Sequence, residues 1–201
     1  MEKKAQRILV TGATGTVGRE IVRELSSRGA IVRAAVHSDS KESVLNYDNV
    51  ESVSIDYNEP KTLENLCKGI DKMFLLTPFS KDMVKITRLL VENAKKAGVK
   101  HIVKLSAIMA DSSNPITLAK WHKAAEDIVK DSGISYTILR PNMFMQNFSN
   151  MMAESIKNSG KIYAPAGKAK ASIVDVRDIA RVAAQVLTEN GHEGKTYSIT
   201  G

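Results

Sequence analysis

The chain has 201 residues, of which 43% are apolar and 25% are charged, as expected for one globular domain of ordinary composition. Its net charge of +7 comes from lysines and arginines that are spread among acidic residues, and only 5% of the residues are aromatic, so nucleic acid is disfavoured as a partner. The single cysteine, Cys67, and the lack of an apolar run long enough for a signal peptide or a membrane span predict a cytoplasmic protein with no membrane partner.

The first predicted element is a strand at residues 7–10, which runs directly into the glycine-rich turn TGATGTVG. Gly12 should permit the sharp exit from the strand, Gly15 the close approach of a pyrophosphate, and Gly18 the tight packing of the next helix. A pyrophosphate at that helix start would meet free backbone amides and the positive end of the helix dipole. The turn therefore predicts a dinucleotide site, with a glycine turn that holds no ligand as the alternative. The predicted contacts are Gly12, Ala13, Thr14, Gly15, Thr16, Val17 and Gly18.

Apolar strands and amphipathic helices alternate along the whole chain. Strands are predicted at residues 7–10, 31–36, 50–55, 72–76, 101–105, 135–139 and 195–199. The clearest helices begin after residue 15 and span residues 81–97, 117–131 and 176–188. This order predicts an α/β fold: a Rossmann-type, doubly wound parallel sheet of about seven strands with helices on both faces, forming one domain over residues 1–201. Ligands of such sheets bind at the carboxyl ends of the strands.

The residues after the second strand bear on the choice of cofactor. An NAD-preferring site usually has a carboxylate at the end of this strand, where the chain has His37. Ser38 and Lys41, with His37 or Arg33, could donate to a 2′-phosphate, whereas Asp39 would repel one. The pattern favours NADP(H) over NAD(H), although Lys41 could also be an ordinary solvated lysine.

Polar and stiff residues follow the later strands as well. Asp56 and Tyr57 come after the third strand, where a carboxylate could accept from an adenine amino group or form a turn. Thr77 and Pro78 follow the fourth strand and are suited to line the middle of the cofactor. Ser106 follows the fifth strand, close to the place expected for a nicotinamide ring.

Four segments resemble a known family: TGATGTVGR, VKLSAIMAD, WHKAAEDIVKDSGISYTILRPNMFMQNF and IVDVRDIA. Together they resemble the NmrA-like branch of the atypical short-chain dehydrogenases/reductases, and within it the type-2 quinone oxidoreductases. The resemblance implies that Asp56 and Tyr57 lie on the adenine side and that Thr77 and Pro78 lie beside the nicotinamide ribose. His37 stands where many NADPH-binding members carry arginine, and Lys41 matches a family lysine. The segment expected to cover the nicotinamide face is Pro141, Asn142, Met143 and Phe144.

The resemblance also has two consequences for the substrate. Members of the family usually continue past the last strand with a helical region that closes the substrate pocket. We therefore expect an open cleft, either because this is a minimal version or because the sequence is a fragment. No metal site is predicted.

The catalytic pair of the short-chain dehydrogenases is the main departure from the family. Their Tyr-x-x-x-Lys pattern falls here on Leu118 and His122, so the usual acid is absent. A site without the tyrosine should favour a small quinone-like acceptor, because the reduced quinone is a delocalised, weakly basic oxyanion. Ser106, His122 and Asn142 are the candidate hydrogen-bond donors, although His122 could also bind ribose or be an ordinary helix-surface histidine.

Two functions remain open at this stage. The first is hydride transfer from NADPH to a quinone-like acceptor, and the second is a non-catalytic redox sensor that binds the dinucleotide and acts through a protein partner. A methionine-rich segment at residues 143–152 could cover a flat ring, or could form a core or homodimer contact instead.

Overall fold

The computed structural model describes residues 5–37, 45–162, 167–168 and 170–201, and the structural statements below concern this part of the chain. The strands are β1 (Arg7–Val10), β2 (Ile31–Val36), β3 (Val50–Ser54), β4 (Lys72–Leu75), β5 (His101–Leu105), β6 (Ser135–Pro141), β7 (Met143–Phe144), β8 (Ile173–Val174) and β9 (Lys195–Ile199). The helices are α1 (Thr16–Ser27), α2 (Pro60–Cys67), α3 (Met83–Lys96), α4 (Thr117–Lys130), α5 (Asn147–Asn150), α6 (Ala153–Ser159) and α7 (Val176–Thr188).

Seven strands form one sheet in the order β3-β2-β1-β4-β5-β6-β9. Every neighbouring pair in it is parallel. The strand order reverses between β1 and β4, so the connections that leave these two strands diverge and a crevice opens at their carboxyl ends. The predicted doubly wound, seven-stranded sheet is confirmed.

Helices cover both faces of the sheet. One layer contains α1 and α7, and the other contains α2, α3 and α4. Because successive side chains of a strand point to opposite faces, Ile8 and Val10 pack in the first layer while Leu9 packs in the second. Every residue of β4 and β5 is buried, as expected for central strands of a parallel sheet.

The predicted ends of the main elements differ from the observed ends by at most two residues. The sequence analysis did not anticipate the short parallel pair of β7 and β8, in which Met143 lies beside Ile173 and Phe144 beside Val174. It also missed the short helices α5 and α6. Among the described residues, no helix has the length and apolar character needed to cross a bilayer.

Candidate functional site

A cavity of about 780 Å³ lies at the carboxyl ends of the central strands. Its walls come from the glycine turn after β1, from the segments that follow β2, β3, β4, β5 and β6, and from the first turns of α4. Its volume is in the range of small-molecule and cofactor sites. The predicted site residues that line it are Gly12, Thr14, Gly15, Thr16, Val17, His37, Tyr57, Thr77, Pro78, Ser106, His122, Pro141, Asn142 and Phe144.

The glycine turn is tightly built. Gly12 has a φ of +65°, and a Cβ there would lie 3.0 Å from the side chain of Leu76, so both conformation and space favour glycine. A Cβ on Gly18 would lie 2.0 Å from the carbonyl oxygen of Gly12, because the start of α1 packs directly on the turn. Gly15 precedes α1, and no side chain caps this helix start. The backbone amides at the start of α1 therefore have no competing side-chain acceptor.

The hydroxyl of Thr11 links the ends of β1 and β4 beneath the glycine turn. It donates to the carbonyl oxygen of Leu76 at 2.8 Å and accepts from the amide of the same residue at 2.9 Å. These bonds tie the end of β1 to the end of β4, so the turn is fixed relative to the rest of the cavity.

The remaining predicted contacts lie elsewhere. Ala13 is buried and Gly18 packs on the turn, so neither lines the cavity. Asp56 is also outside the lining, and its carboxylate accepts from the amide of Asn58 at 2.8 Å, which is the turn role that the sequence left open. Ser38 and Lys41 lie outside the described residues.

His37 and Tyr57 meet edge to face at the end of the cavity that β2 and β3 provide, with 5.3 Å between their ring centroids. Burial raises the pKa of Tyr57 to about 12, so the phenol stays protonated. The suggestion that Arg33 could donate to a 2′-phosphate is wrong: its guanidinium donates to the carbonyl oxygens of Asn65, Leu66 and Lys68 at the end of α2. Carbonyls at the carboxyl end of a helix lack the partners that earlier carbonyls have, which favours their capture of the arginine.

A buried carboxylate organises the opposite end of the site. Glu126 on α4 accepts hydrogen bonds from Ser106 at 2.6 Å and from Arg140 on β6 at 2.7 and 2.8 Å. Lys130 approaches it at 3.2 Å, and Arg140 also contacts Asp111. Burial alone would raise the pKa of Glu126, but the bonds from Arg140 and Ser106 outweigh burial and lower the pKa to about 2.

This network corrects the role expected for Ser106. Because Glu126 is ionised, the one hydroxyl proton of Ser106 is committed to it, and Ser106 can only accept from a ligand. Asn142 is partly committed too: its amide donates to Ser172 at 2.8 Å and its carbonyl accepts from the amide of Met143 at 2.9 Å. One N–H of Asn142 remains for a ligand.

Two buried polar atoms of the cavity wall lack a partner within the described part of the chain: Oγ1 of Thr77 and Nδ1 of His122. Burial first, and then the charge of Lys104, lower the pKa of His122 to about 4, so its ring is neutral near pH 7. An unsatisfied buried polar atom is costly, and a ligand with hydroxyl or amide groups would satisfy both atoms.

The sequence analysis missed Lys104. This residue lies within β5, is 1% exposed, and lines the same cavity as Ser106 and His122. Its Nζ donates to the carbonyl oxygen of Leu105 at 2.5 Å. Burial lowers the pKa of Lys104 to about 8, against the opposing charge of Glu126. The sequence did contain one indication of this site residue, namely a lysine within a strand of a sheet predicted to be covered by helices on both faces.

The outer wall is apolar and includes Phe79, which is 74% exposed. Residues 143–152 are half-buried or exposed, and Phe144 among them packs against the core on the face covered by α1 and α7. Two side chains of this methionine-rich segment, Met143 and Phe144, line the cavity directly. The other apolar lining side chains include Met83, Ile108, Met109 and Leu118.

Known proteins are similar to this chain in both sequence and fold. The profile of the NmrA-like family matches residues 4–200. The chain is 40% identical to the NAD(P)H azoreductase of Xenophilus azovorans over 194 residues, covering 96% of this chain and 68% of that protein.

Two solved structures are similar as well. Triphenylmethane reductase of Citrobacter sp., complexed with NADP(H), matches with a TM-score of 0.85 and 33% identity, covering 97% of this chain and 70% of that one. The NADPH-dependent quinone oxidoreductase QOR2 of Escherichia coli, complexed with NADPH, matches with a TM-score of 0.86 and 31% identity, covering 96% of this chain and 69% of that one. The chain thus spans about two thirds of the length of these relatives.

Proposed function

Because the chain belongs to the NmrA-like family, we propose that it binds NADPH along the carboxyl edge of its sheet and reduces a quinone-like acceptor. The observation that carries this proposal is one continuous cavity that joins the glycine turn to an apolar wall, on which two polar atoms have no partner in the described part of the chain. The named relatives reduce azo compounds, quinones or triphenylmethane dyes with NAD(P)H, which supports the same class of reaction here.

The residues of the cavity fit a dinucleotide. The uncapped start of α1 suits the diphosphate, and the ring of Tyr57 lies where the adenine end would rest. Thr77 and His122 supply two unsatisfied atoms for the hydroxyls of the second ribose. When bound, the dihydronicotinamide supplies a hydride.

The chain's own residues set which acceptors can react. Leu118 replaces the usual acid and, with Met143 and Phe144, makes the walls of the nicotinamide end mostly apolar. A flat, electron-poor ring would bury its faces against these side chains and exclude water. An aliphatic ketone is a poorer hydride acceptor than an electron-poor quinone, because its reduction generates a localised, strongly basic alkoxide rather than a delocalised oxyanion.

The test is oxidation of NADPH, followed by absorbance, with a panel of quinones, an azo dye and an aliphatic ketone. We expect saturable turnover with the quinones and none with the ketone. Tight NADPH binding without turnover of any acceptor would contradict the enzymatic proposal and support the redox sensor.

Cofactor preference gives a separate prediction. Replacing Lys41 with alanine is expected to weaken NADPH binding by about tenfold, because one charge-assisted contact with the 2′-phosphate is lost, and to leave NADH binding unchanged. Lys61→Ala, an exposed lysine on α2, is the matched control for the change in net charge. Fluorescence titrations with both reduced cofactors measure the effect, and equal losses for the two would reject the phosphate contact.

A further inference from the structure

Lys104 has hydrogen-bonding capacity that the described residues do not use. An ammonium has three N–H donors, and the hydrogen bond from this Nζ to the Leu105 carbonyl oxygen uses one of them. The two atoms that lack a partner among the described residues, Oγ1 of Thr77 and Nδ1 of His122, belong to side chains that line the same cavity. A buried lysine with unused donors is expensive unless a ligand completes its shell.

The side chains considered around Lys104 come from α4, β6 and α3, and the first two elements contribute charged groups. Helix α4 contributes Glu126, which stabilises the ammonium, and His122, which is neutral near pH 7. Strand β6 contributes Arg140, whose guanidinium is held by Glu126. Helix α3 contributes the uncharged Met83 to the same cavity.

We propose that Lys104 is the proton donor to the acceptor in this site, taking the place of the tyrosine that the family pattern puts at Leu118. This rests on the proposed reductase function. The donor comes from the strand rather than from the helix, since Leu118 and His122 are the two lining side chains of α4 and neither is an acid near pH 7.

The balance of the reaction agrees with this assignment. Reducing a quinone to a hydroquinone takes a hydride and a proton. The hydride comes from the dihydronicotinamide, which is oxidised, and the proton comes from Nζ of Lys104 and goes to the acceptor oxygen. The N–H bond of the ammonium breaks, the O–H bond of the product forms, and the neutral amine regains its proton from water.

The charges on the cavity wall also favour coupling the two transfers. A nicotinamide that gave up its hydride in this cavity would become cationic, and the ammonium of Lys104 would repel it in a site of low dielectric. Giving up the proton removes the lysine charge as the ring charge appears. With a pKa of about 8, Lys104 is mostly protonated at pH 7 and gives up its proton readily.

The first arm of the experiment uses binding alone. We expect the ratio of the dissociation constants, NADP+ over NADPH, to fall by about tenfold between about pH 6.5 and about pH 9.5, because the lysine charge opposes only the cationic ring. The adenosine phosphates are common to both ligands and cancel in the ratio. Lys104→Met should make the ratio independent of pH, and Lys85→Met, an exposed lysine on α3, should not.

The second arm measures turnover with a quinone. In the unmodified protein, kcat should fall above about pH 8, because Lys104 loses its proton there. Lys104→Met should lower kcat by about 100-fold at pH 7 and remove this fall at high pH. Lys104→Arg keeps the positive charge but does not release a proton in this range, so its rate should stay low. Full recovery in the arginine variant would show that only charge is needed and would overturn the proposal.

The arms separate the two claims. A ratio that does not change with pH in the unmodified protein, together with normal turnover, overturns the role of Lys104 and leaves the reductase standing. Absence of turnover with every acceptor overturns both, whatever the ratio does.

Discussion

Replacing Gly15 with valine is expected to abolish NADPH binding, with a loss of at least about 100-fold in affinity, while the protein still folds. Gly15 lines the cavity at the start of α1, and a Cβ there would meet only the carbonyl oxygen of Gly12, at 3.3 Å. Its φ of −75° is accessible to any residue. The turn would have to shift by a few tenths of an ångström to accept this Cβ, and the rest of the added side chain would occupy the space proposed for the diphosphate.

The measurement is a fluorescence titration with NADPH, accompanied by thermal unfolding of both proteins. Ser27→Val, at the exposed other end of α1, adds a similar side chain outside the cavity and should bind normally. If Gly15→Val bound NADPH as tightly as the unmodified protein, the diphosphate would not lie against this turn.

Replacing Glu126 with alanine is expected to lower the free energy of unfolding by about 3–5 kcal/mol, because Arg140 would remain buried without its main partner. Ser106 would lose its acceptor as well. The matched control is Asp127→Ala on the same helix, whose carboxylate pairs with Lys123 at the surface and should contribute at most about 1 kcal/mol.

Urea unfolding at several pH values checks this prediction and its sign. The pKa of Glu126 is about 2 in the folded protein, below the ordinary value of 4.5, so its contribution is present above pH 4.5 and is lost as the pH falls towards 2. The alanine variant should lack this loss. A Glu126→Ala protein no less stable than Asp127→Ala would mean that the buried network does not hold the site together.

The strands and long helices could be predicted because apolar residues recur with the periods of those elements, and the glycine spacing located the turn. The short pair of β7 and β8 could not be predicted, because Met143 and Ile173 are thirty positions apart in the sequence and a two-residue strand has no period. The hydrogen-bond network of Glu126 could not be predicted for a similar reason: Ser106, Asp111 and Arg140 are distant in sequence and meet only once the sheet forms.

The candidate site shows the same division. Residues that follow directly after strands, such as Thr77 and Ser106, were found because every parallel strand ends at the same edge. The hydrogen-bonding state of Ser106 depends on a charge from α4 and was not visible in the sequence. Lys104 lies within β5, and a polar residue in a strand is usually assumed to face solvent. Because both faces of this sheet are covered, the side chain of Lys104 is buried and lines the cavity instead.

The most direct test of the central claim is a crystal structure of the chain with NADP+. We expect the diphosphate to lie against the backbone amides that follow Gly12, and the nicotinamide end to lie beside Thr77, Lys104 and His122. A cofactor bound elsewhere on the surface, or a glycine turn that stays empty at saturating NADP+, would contradict this claim.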